Sequence, residues 1–241
     1  MIDGKVLIDG DIVAYRAAHV TDKDFPEDAK SKVDELMGDI LDKTTLFSLP
    51  DEYTVYLTGK GNFRYSIATK KVYKGNRVAA VKPRYLPLIR DYLTVNYNAI
   101  TSEGEEADDL IAIEATKLGP STTIASTDKD FMQIPCHHYN LTKETFTKVS
   151  KEEAMRAFYT QLLTGDKVDN IGGAPGIGPK KAVQIYKDCK TEEDFWKAAL
   201  EAYKGDIDHA IECARLLWLR RKEGELWEPP GIVTGKLTNT N

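Results

Sequence analysis

Lys5-Val6-Leu7-Ile8-Asp9-Gly10-Asp11 is a short, unbroken apolar run that ends on two acids. A run of this length without polar alternation suits a strand buried on both faces, whose end delivers carboxylates beyond the sheet. The pattern predicts a strand over residues 5–8 and a loop carrying Asp9 and Asp11. Residues 53–57 read as a second strand, and residues 122–125 as a third that ends at Ser126-Thr127-Asp128. Helices fall between them. Val33, Leu36, Met37, Ile40 and Leu41 recur at i, i+3, i+4, i+7 and i+8, one apolar stripe, and residues 105–118 form another helix. Strand and helix in alternation imply an α/β core over residues 1–150, with a mostly parallel central sheet flanked by helices. After residue 150 strands fade. Residues 151–163, the Ala182 region, 192–203 and 206–220 read as helices, giving a helical part over 151–228 and a tail over 229–241.

The chain of 241 residues, 41% of them hydrophobic, is long enough to bury a full core. No apolar run approaches the length of a membrane span, and acids at positions 3, 9 and 11 do not suit a secretory signal, so a soluble cytoplasmic monomer is expected. Cys136, Cys189 and Cys213 are odd in number and far apart, and encode neither a disulfide framework nor a thiolate zinc site. His137 and His138 beside Cys136 belong to a short strand, because nothing elsewhere completes four ligands. Trp196, Trp218 and Trp227 read as packing residues of the helical part.

The net charge of −5 conceals a sharp division. From position 53 to position 90 there is no Asp or Glu, while nine Lys and Arg give that segment +9 and leave −14 on the rest. A one-signed stretch of this size is an electrostatic footprint for a polyanion. Lys60, Arg64, Lys82 and Arg84 are its candidate phosphate contacts, and Phe63, Tyr65, Tyr73 and Tyr85 could stack on unpaired bases. The acids gather at four separated places: Asp9 with Asp11, residues 103–109, Asp128 with Asp130, and Asp166 with Asp169. Three lie where a strand ends or a helix begins, and in a parallel sheet such positions converge on one crevice. Converging carboxylates repel and need a cation. Hard divalent ions with oxygen ligands fit, and two of them about 3.5–4 Å apart can activate water and stabilise a leaving oxygen in phosphoryl displacement. Residues 172–182, Gly-Gly-Ala-Pro-Gly-Ile-Gly-Pro-Lys-Lys-Ala, are a tight turn entering a helix. Gly176 and Gly178 allow close approach, and Lys180 with Lys181 makes the turn a clamp for a phosphate backbone.

These blocks, in this order, resemble the 5′→3′ exonucleases and flap endonucleases of bacteriophages and of the 5′-nuclease domain of bacterial DNA polymerase I. The resemblance rests on Leu7-Ile8-Asp9-Gly10, Tyr73-Lys74-Gly75-Asn76-Arg77, Glu105-Glu106-Ala107-Asp108-Asp109, Ser126-Thr127-Asp128-Lys129-Asp130 and residues 165–170, Gly-Asp-Lys-Val-Asp-Asn, leading into Pro175-Gly176-Ile177-Gly178. It implies a PIN-like 5′-nuclease core and structure-specific cleavage of DNA, or of RNA in RNA–DNA hybrids, near 5′ ends during replication or recombination. Two Mg²⁺ or Mn²⁺ ions would be held by Asp9, Glu106, Asp108, Asp109, Asp128 and Asp130, with Asp166 and Asp169 completing the second site. Lys74 and Arg77 match the pair that contacts the scissile phosphate at the base of a helical arch, here residues 58–90 together with Tyr73. The glycine turn matches a helix–hairpin–helix, here residues 168–188, which holds duplex DNA and sometimes K⁺. One position departs from the pattern. After the second strand the family usually has an Asp, whereas this chain reads Leu57-Thr58-Gly59-Lys60. Asp9-Gly10-Asp11-Ile12-Val13 also resembles the nucleophile loop of haloacid-dehalogenase-type phosphatases, which would predict a phospho-intermediate on Asp9. A third reading is a catalytically silent protein that binds branched DNA.

Overall fold

The structure, a computed structural model, describes residues 4–20, 25–45, 50–77 and 81–231. Its centre is a six-stranded sheet in the order β3-β2-β1-β4-β5-β6. The strands are β1 (Val6–Asp9), β2 (Tyr53–Lys60), β3 (Ile100–Glu103), β4 (Thr123–Ser126), β5 (His137–Asn140) and β6 (Thr145–Lys148). All pair in parallel except β6, which runs antiparallel to β5. Side chains alternate across β1: Val6 and Ile8 pack on one face with the helices α1 (Gly10–Val20), α2 (Pro26–Thr44) and α4 (Leu86–Tyr97), whereas Leu7 packs on the other with α5 (Ala107–Leu118). Both faces are covered, which is why the strands read as continuous apolar runs.

The chain leaves β1 toward β2 on one side and adds β4 on the other, so the strand order reverses at β1. A crevice opens beyond the carboxyl ends of strands at such a switch point. The turn out of β1 is a helix rather than the expected loop. Asp9 Oδ1 accepts the Ile12 N–H at 3.2 Å, and Gly10 lets α1 begin at once, because a Cβ there would lie 2.6 Å from the Tyr56 carbonyl oxygen. Ala14, Ala17 and Ala18 then bury fully against the sheet.

A third core belongs to α6 (Lys151–Thr164), α7 (Pro179–Ile185), α8 (Glu192–Ala202) and α9 (Ile207–Leu217). Phe158, Tyr159, Phe195, Trp196 and Trp227 fill it, with Trp218 packed against its side. Two short strands, β7 (Gly165–Asp166) and β8 (Ile171–Gly172), form a hairpin between α6 and α7. The range 168–188 therefore opens on a β-hairpin turn, and the helix before it is α6, which ends at Thr164. The parts before and after residue 150 interlock. Tyr73, Ile67 and Ala68 of the basic segment pack into the third core, where the short helix α3 (Arg64–Ile67) meets α9. Glu212 of α9 accepts the backbone N–H groups of Thr69 and Lys70 at 3.0 and 2.8 Å. Residues 78–80 of the arch and 232–241 of the tail lie outside the described residues. No helix among the described residues is long and apolar enough to cross a membrane.

Candidate active site

Beyond β1, β2 and β4 lies a cleft of about 1060 Å³ lined by Asp9, Asp11, Glu106, Asp108, Asp128, Asp130, Asp166 and Asp169, together with Lys74 and Arg77. The four acidic places of the sequence thus meet. Asp9 ends β1 and is buried, with its Oδ2 accepting the Ser126 hydroxyl at 2.7 Å. Ser126, the last residue of β4, in turn accepts the Asp128 N–H at 3.0 Å, so one hydroxyl fixes two acids of neighbouring strands. Glu106 and Asp108 stand at the start of α5. Burial pushes the Asp9 carboxyl up to about 7 and holds Asp108 well above the usual carboxylate range, with Asp9, Asp128 and Glu106 adding to the effect on Asp108. Asp128, more open to solvent, is pushed up to about 6 by desolvation and by Asp130.

Three cations pair with the carboxylates, two of them between a pair. Lys129 Nζ lies 2.6 Å from Asp166 and 2.9 Å from Asp130, while Arg77 lies 2.6 Å from Asp169. Lys74 pairs with Glu106 and stands 3.9 Å from Asp169. Lys74 takes a left-handed backbone conformation, φ 55°, which costs a non-glycine residue on the order of 1 kcal/mol. Surrounding bonds over-determine it. Lys74 N–H donates to the Asp169 carbonyl at 2.9 Å, Asn76 Nδ2 to the Lys167 carbonyl at 2.6 Å, and Asn170 Nδ2 to the Val72 carbonyl at 2.9 Å. The basic turn and the Asp166–Asn170 turn are one clasped unit. No three carboxylates among the described residues are drawn in to the spacing a single ion would impose.

The family model for the 5′-3′ exonuclease N-terminal, resolvase-like domain matches residues 5–161. The chain belongs to this 5′-3′ exonuclease family. It is 34% identical over 183 residues to DNA polymerase I of Rhizobium leguminosarum, covering 67% of this chain and 16% of that protein. It is 38% identical over 111 residues to flap endonuclease Xni of Shewanella piezotolerans, covering 41% of this chain and 44% of that one. The chain thus spans less than half the length of either relative. Among solved structures, T5 5′-exonuclease with bound divalent metal ions (zinc) aligns with a TM-score of 0.65 at 18% identity, over 89% of each chain. That likeness concerns the fold.

Within this 5′-3′ exonuclease framework three expectations need correction. Asp109 is not a ligand of the cleft: it is fully buried and turned away, with both oxygens taken by Arg64 at 2.6 and 2.9 Å. Arg64 is not a phosphate contact, for it is only 2% exposed and also donates to the Leu216 and Trp218 carbonyls. Tyr73 cannot stack on a base. Its ring is buried in the third core, and its hydroxyl donates between Glu106 and Asp169, 2.9 Å from each. Tyr85 is buried as well, and the Phe63 ring lies against the guanidinium groups of Arg64 and Arg220. Tyr65 alone of the four rings is broadly exposed. Lys60, Lys82 and Arg84 are exposed, Lys60 and Lys82 at the cleft wall. Gly176, Gly178, Lys180 and Lys181 are exposed on the turn into α7.

Gly59 has a steric reason. A Cβ there would sit 1.9 Å from the Ser102 carbonyl oxygen, so the close pairing of β2 with β3 leaves no room for an Asp. The end of β2 instead receives Asp11, whose Oδ2 accepts the Thr58 N–H at 2.9 Å and whose other oxygen pairs with Arg90. Asp11 with Arg90, Lys129, Ser126 and Gln161 are site residues that the ligand pattern alone did not single out. Asp11 carried a signal in its place beside Asp9, Ser126 and Lys129 in the block around Asp128, and Arg90 in the basic segment, while Gln161 carried none.

The raised carboxyls make the fold pH-sensitive. A carboxyl that binds its proton more tightly folded than unfolded loses stability as pH climbs from the unfolded value toward the folded one. For buried Asp9 that window runs from about 4 to about 7. Protein in EDTA is expected to melt about 4–8 °C lower at pH 8 than at pH 5.5, since the part of that window above pH 5.5 is worth about 2 kcal/mol and 1 kcal/mol moves a chain of this size by ~2–4 °C. Saturating Mg²⁺ should flatten the dependence. Calorimetry across the range checks it, and a melting point in EDTA that stays level would contradict the burial of charge at Asp9.

Proposed function

We propose that this chain is a divalent-metal-dependent, structure-specific 5′ nuclease, a 5′→3′ exodeoxyribonuclease and flap endonuclease that hydrolyses DNA phosphodiesters near 5′ ends in replication or recombination. The observation that carries the reading is a single cleft in which an oxygen-only acid cluster faces Lys74 and Arg77. The donor set fits hard divalent ions. No Cys or His lines the cleft, and ammonium groups already stand where positive charge is required. Asp9, Glu106, Asp108 and Asp128 would hold one Mg²⁺ or Mn²⁺, and Asp130, Asp166 and Asp169 a second. Such a pair supplies, when bound, activation of water and neutralisation of charge at the leaving oxygen.

The side chains do the rest. Lys74 and Arg77 offset negative charge that develops on the scissile phosphate, and the clasp to the Asp166–Asn170 turn holds them in register. Tyr73 Oη orients Glu106 against Asp169. Lys60, Lys82 and Arg84 lead the strand toward the cleft, and Gly176, Gly178, Lys180 and Lys181 hold the duplex without reading its sequence, with K⁺ as a further anchor at that turn. RNA–DNA hybrids are within the same reading.

The test is cleavage of a 3′-labelled 5′-flap duplex, beside a blunt duplex and p-nitrophenyl phosphate, in Mg²⁺ and in EDTA. Fragments from DNA alone, and only with metal, are the expected result, their lengths dividing flap cutting from stepwise removal. Hydrolysis of the small ester alone would replace this reading by the phosphatase. Tight binding of the flap without product in Mg²⁺ or Mn²⁺ would leave a silent DNA-binding protein.

A further inference from the structure

Among the ion pairs of the described residues, none involves Asp9, Asp108 or Asp128, whereas Asp130, Asp166 and Asp169 are all neutralised by side chains. The acid cluster is therefore electrically uneven. Asp166 is the clearest case. Its Oδ1 accepts the Val168 and Asp169 N–H groups at 2.7 and 3.2 Å, which leaves Oδ2 as its outward oxygen, and Lys129 Nζ occupies that oxygen at 2.6 Å. The same ammonium reaches Asp130 Oδ1 at 2.9 Å, while Gln161 Nε2 also donates to that oxygen at 2.8 Å and lies 3.5 Å from Asp166 Oδ2. Lys129 sits between Asp128 and Asp130 in sequence, so the chain itself carries it to this position. Its side chain is nevertheless 68% exposed, so the ammonium can swing out without disturbing the core.

We propose that Lys129 is a tethered counter-ion for this half of the cluster, a positioning residue that a divalent ion must displace from between Asp130 and Asp166, and that its presence sets how tightly that half takes its ion. The inference rests on the nuclease reading above. In the absence of metal the ammonium keeps the two carboxylates in place, at the expense of competing for their oxygens. Once displaced it is a free cation at the cleft rim, facing the side from which a phosphate backbone would approach.

The experiment is Mn²⁺ binding without DNA, counted by electron paramagnetic resonance, for the full chain and its Lys129→Met and Lys129→Arg variants. Met keeps the length and removes the charge; Arg keeps the charge. With Lys129→Met the weaker class of Mn²⁺ is expected to bind about tenfold tighter, the scale of one partly exposed charge-assisted contact removed from competition, with the tighter class unchanged. Lys129→Arg should stay close to the parent. Melting in EDTA supplies a second readout: Lys129→Met should melt lower than the parent without metal and regain the difference in Mn²⁺. Unchanged or weaker Mn²⁺ binding by Lys129→Met, in a parent that binds two ions, would overturn the role of Lys129 and leave the nuclease reading standing. A parent that binds no Mn²⁺ would overturn the nuclease reading, and this inference with it.

Discussion

Asp108→Asn is expected to remove cleavage of a flap duplex while making the metal-free protein more stable. The side chain keeps its shape and loses a charge that the fold tolerates poorly, since Asp108 is desolvated and faces Asp9, Asp128 and Glu106. Relief of that repulsion should raise the melting point in EDTA at pH 8 by a few degrees, about what 1–2 kcal/mol gives for a chain of this size. Catalysis moves the other way. With one oxygen donor lost from the three carboxylates, Asp9, Asp108 and Asp128, that make no side-chain ion pair, single-turnover cleavage should fall by at least about 10²–10³, the scale of one electrostatic contact at a reacting centre. The stabilisation by Mg²⁺ seen in the parent should shrink in parallel, because ligand-linked stability follows affinity. Scanning calorimetry with and without Mg²⁺, run beside the cleavage assay, separates the outcomes. Full Mg²⁺ stabilisation in the variant would remove Asp108 from the ligand set.

How much of this was legible depends on how local each feature is. The strands that lead to Asp9 and Asp128 announced themselves as apolar runs, and α2 as a stripe, because burial on both faces of a sheet or on one face of a helix leaves a periodic trace. The helix α1 left almost none. It is built on alanines, and its cap is Asp9, a residue that reads first as chemistry. The short edge strand β3 carries three exposed residues of four, which leaves little apolar signal. Convergence of the acids followed from topology, but which of them face the cleft did not. Asp108 and Asp109 are adjacent in sequence, and only the turn of α5 sends one into the cleft and the other toward Arg64. The basic segment misled for the same reason. Arg64 and Arg90 contribute to its charge count, yet each is spent on an acid at long range, Arg64 on Asp109 and Arg90 on Asp11. No pattern within residues 53–90 distinguishes a cation that meets a carboxylate from one that meets a phosphate.

Asp109→Asn, one position along, should do the reverse of Asp108→Asn and destabilise the chain strongly. Asp109 is fully buried and receives the Arg64 guanidinium through two bonds, and it also accepts the Arg220 N–H at 3.2 Å. Arg64 is itself enclosed, with its remaining donors on the Leu216 and Trp218 carbonyls. Burial works against the guanidinium's charge and the Asp109 carboxylate outweighs it, holding Arg64 firmly protonated. Taking away the carboxylate leaves an enclosed cation without a counter-charge, which costs about 3–5 kcal/mol where buried pairs are broken from one side. Against a total stability of ~5–15 kcal/mol this is a large share, and a melting point lower by about 6–20 °C should result. The pair also ties the start of α5 to the basic segment and to the chain after α9, so loosening it frees Glu106 and Asp108 from their fixed places. Activity should then fall with temperature before global unfolding. The double variant Arg64→Met with Asp109→Leu removes both charges together and should recover much of the lost stability. Urea denaturation of the parent, Arg64→Met, Asp109→Leu and the double variant measures the coupling. A single variant as stable as the parent would mean that Arg64 finds another counter-charge, for which Glu106, 3.8 Å away, is the nearest candidate.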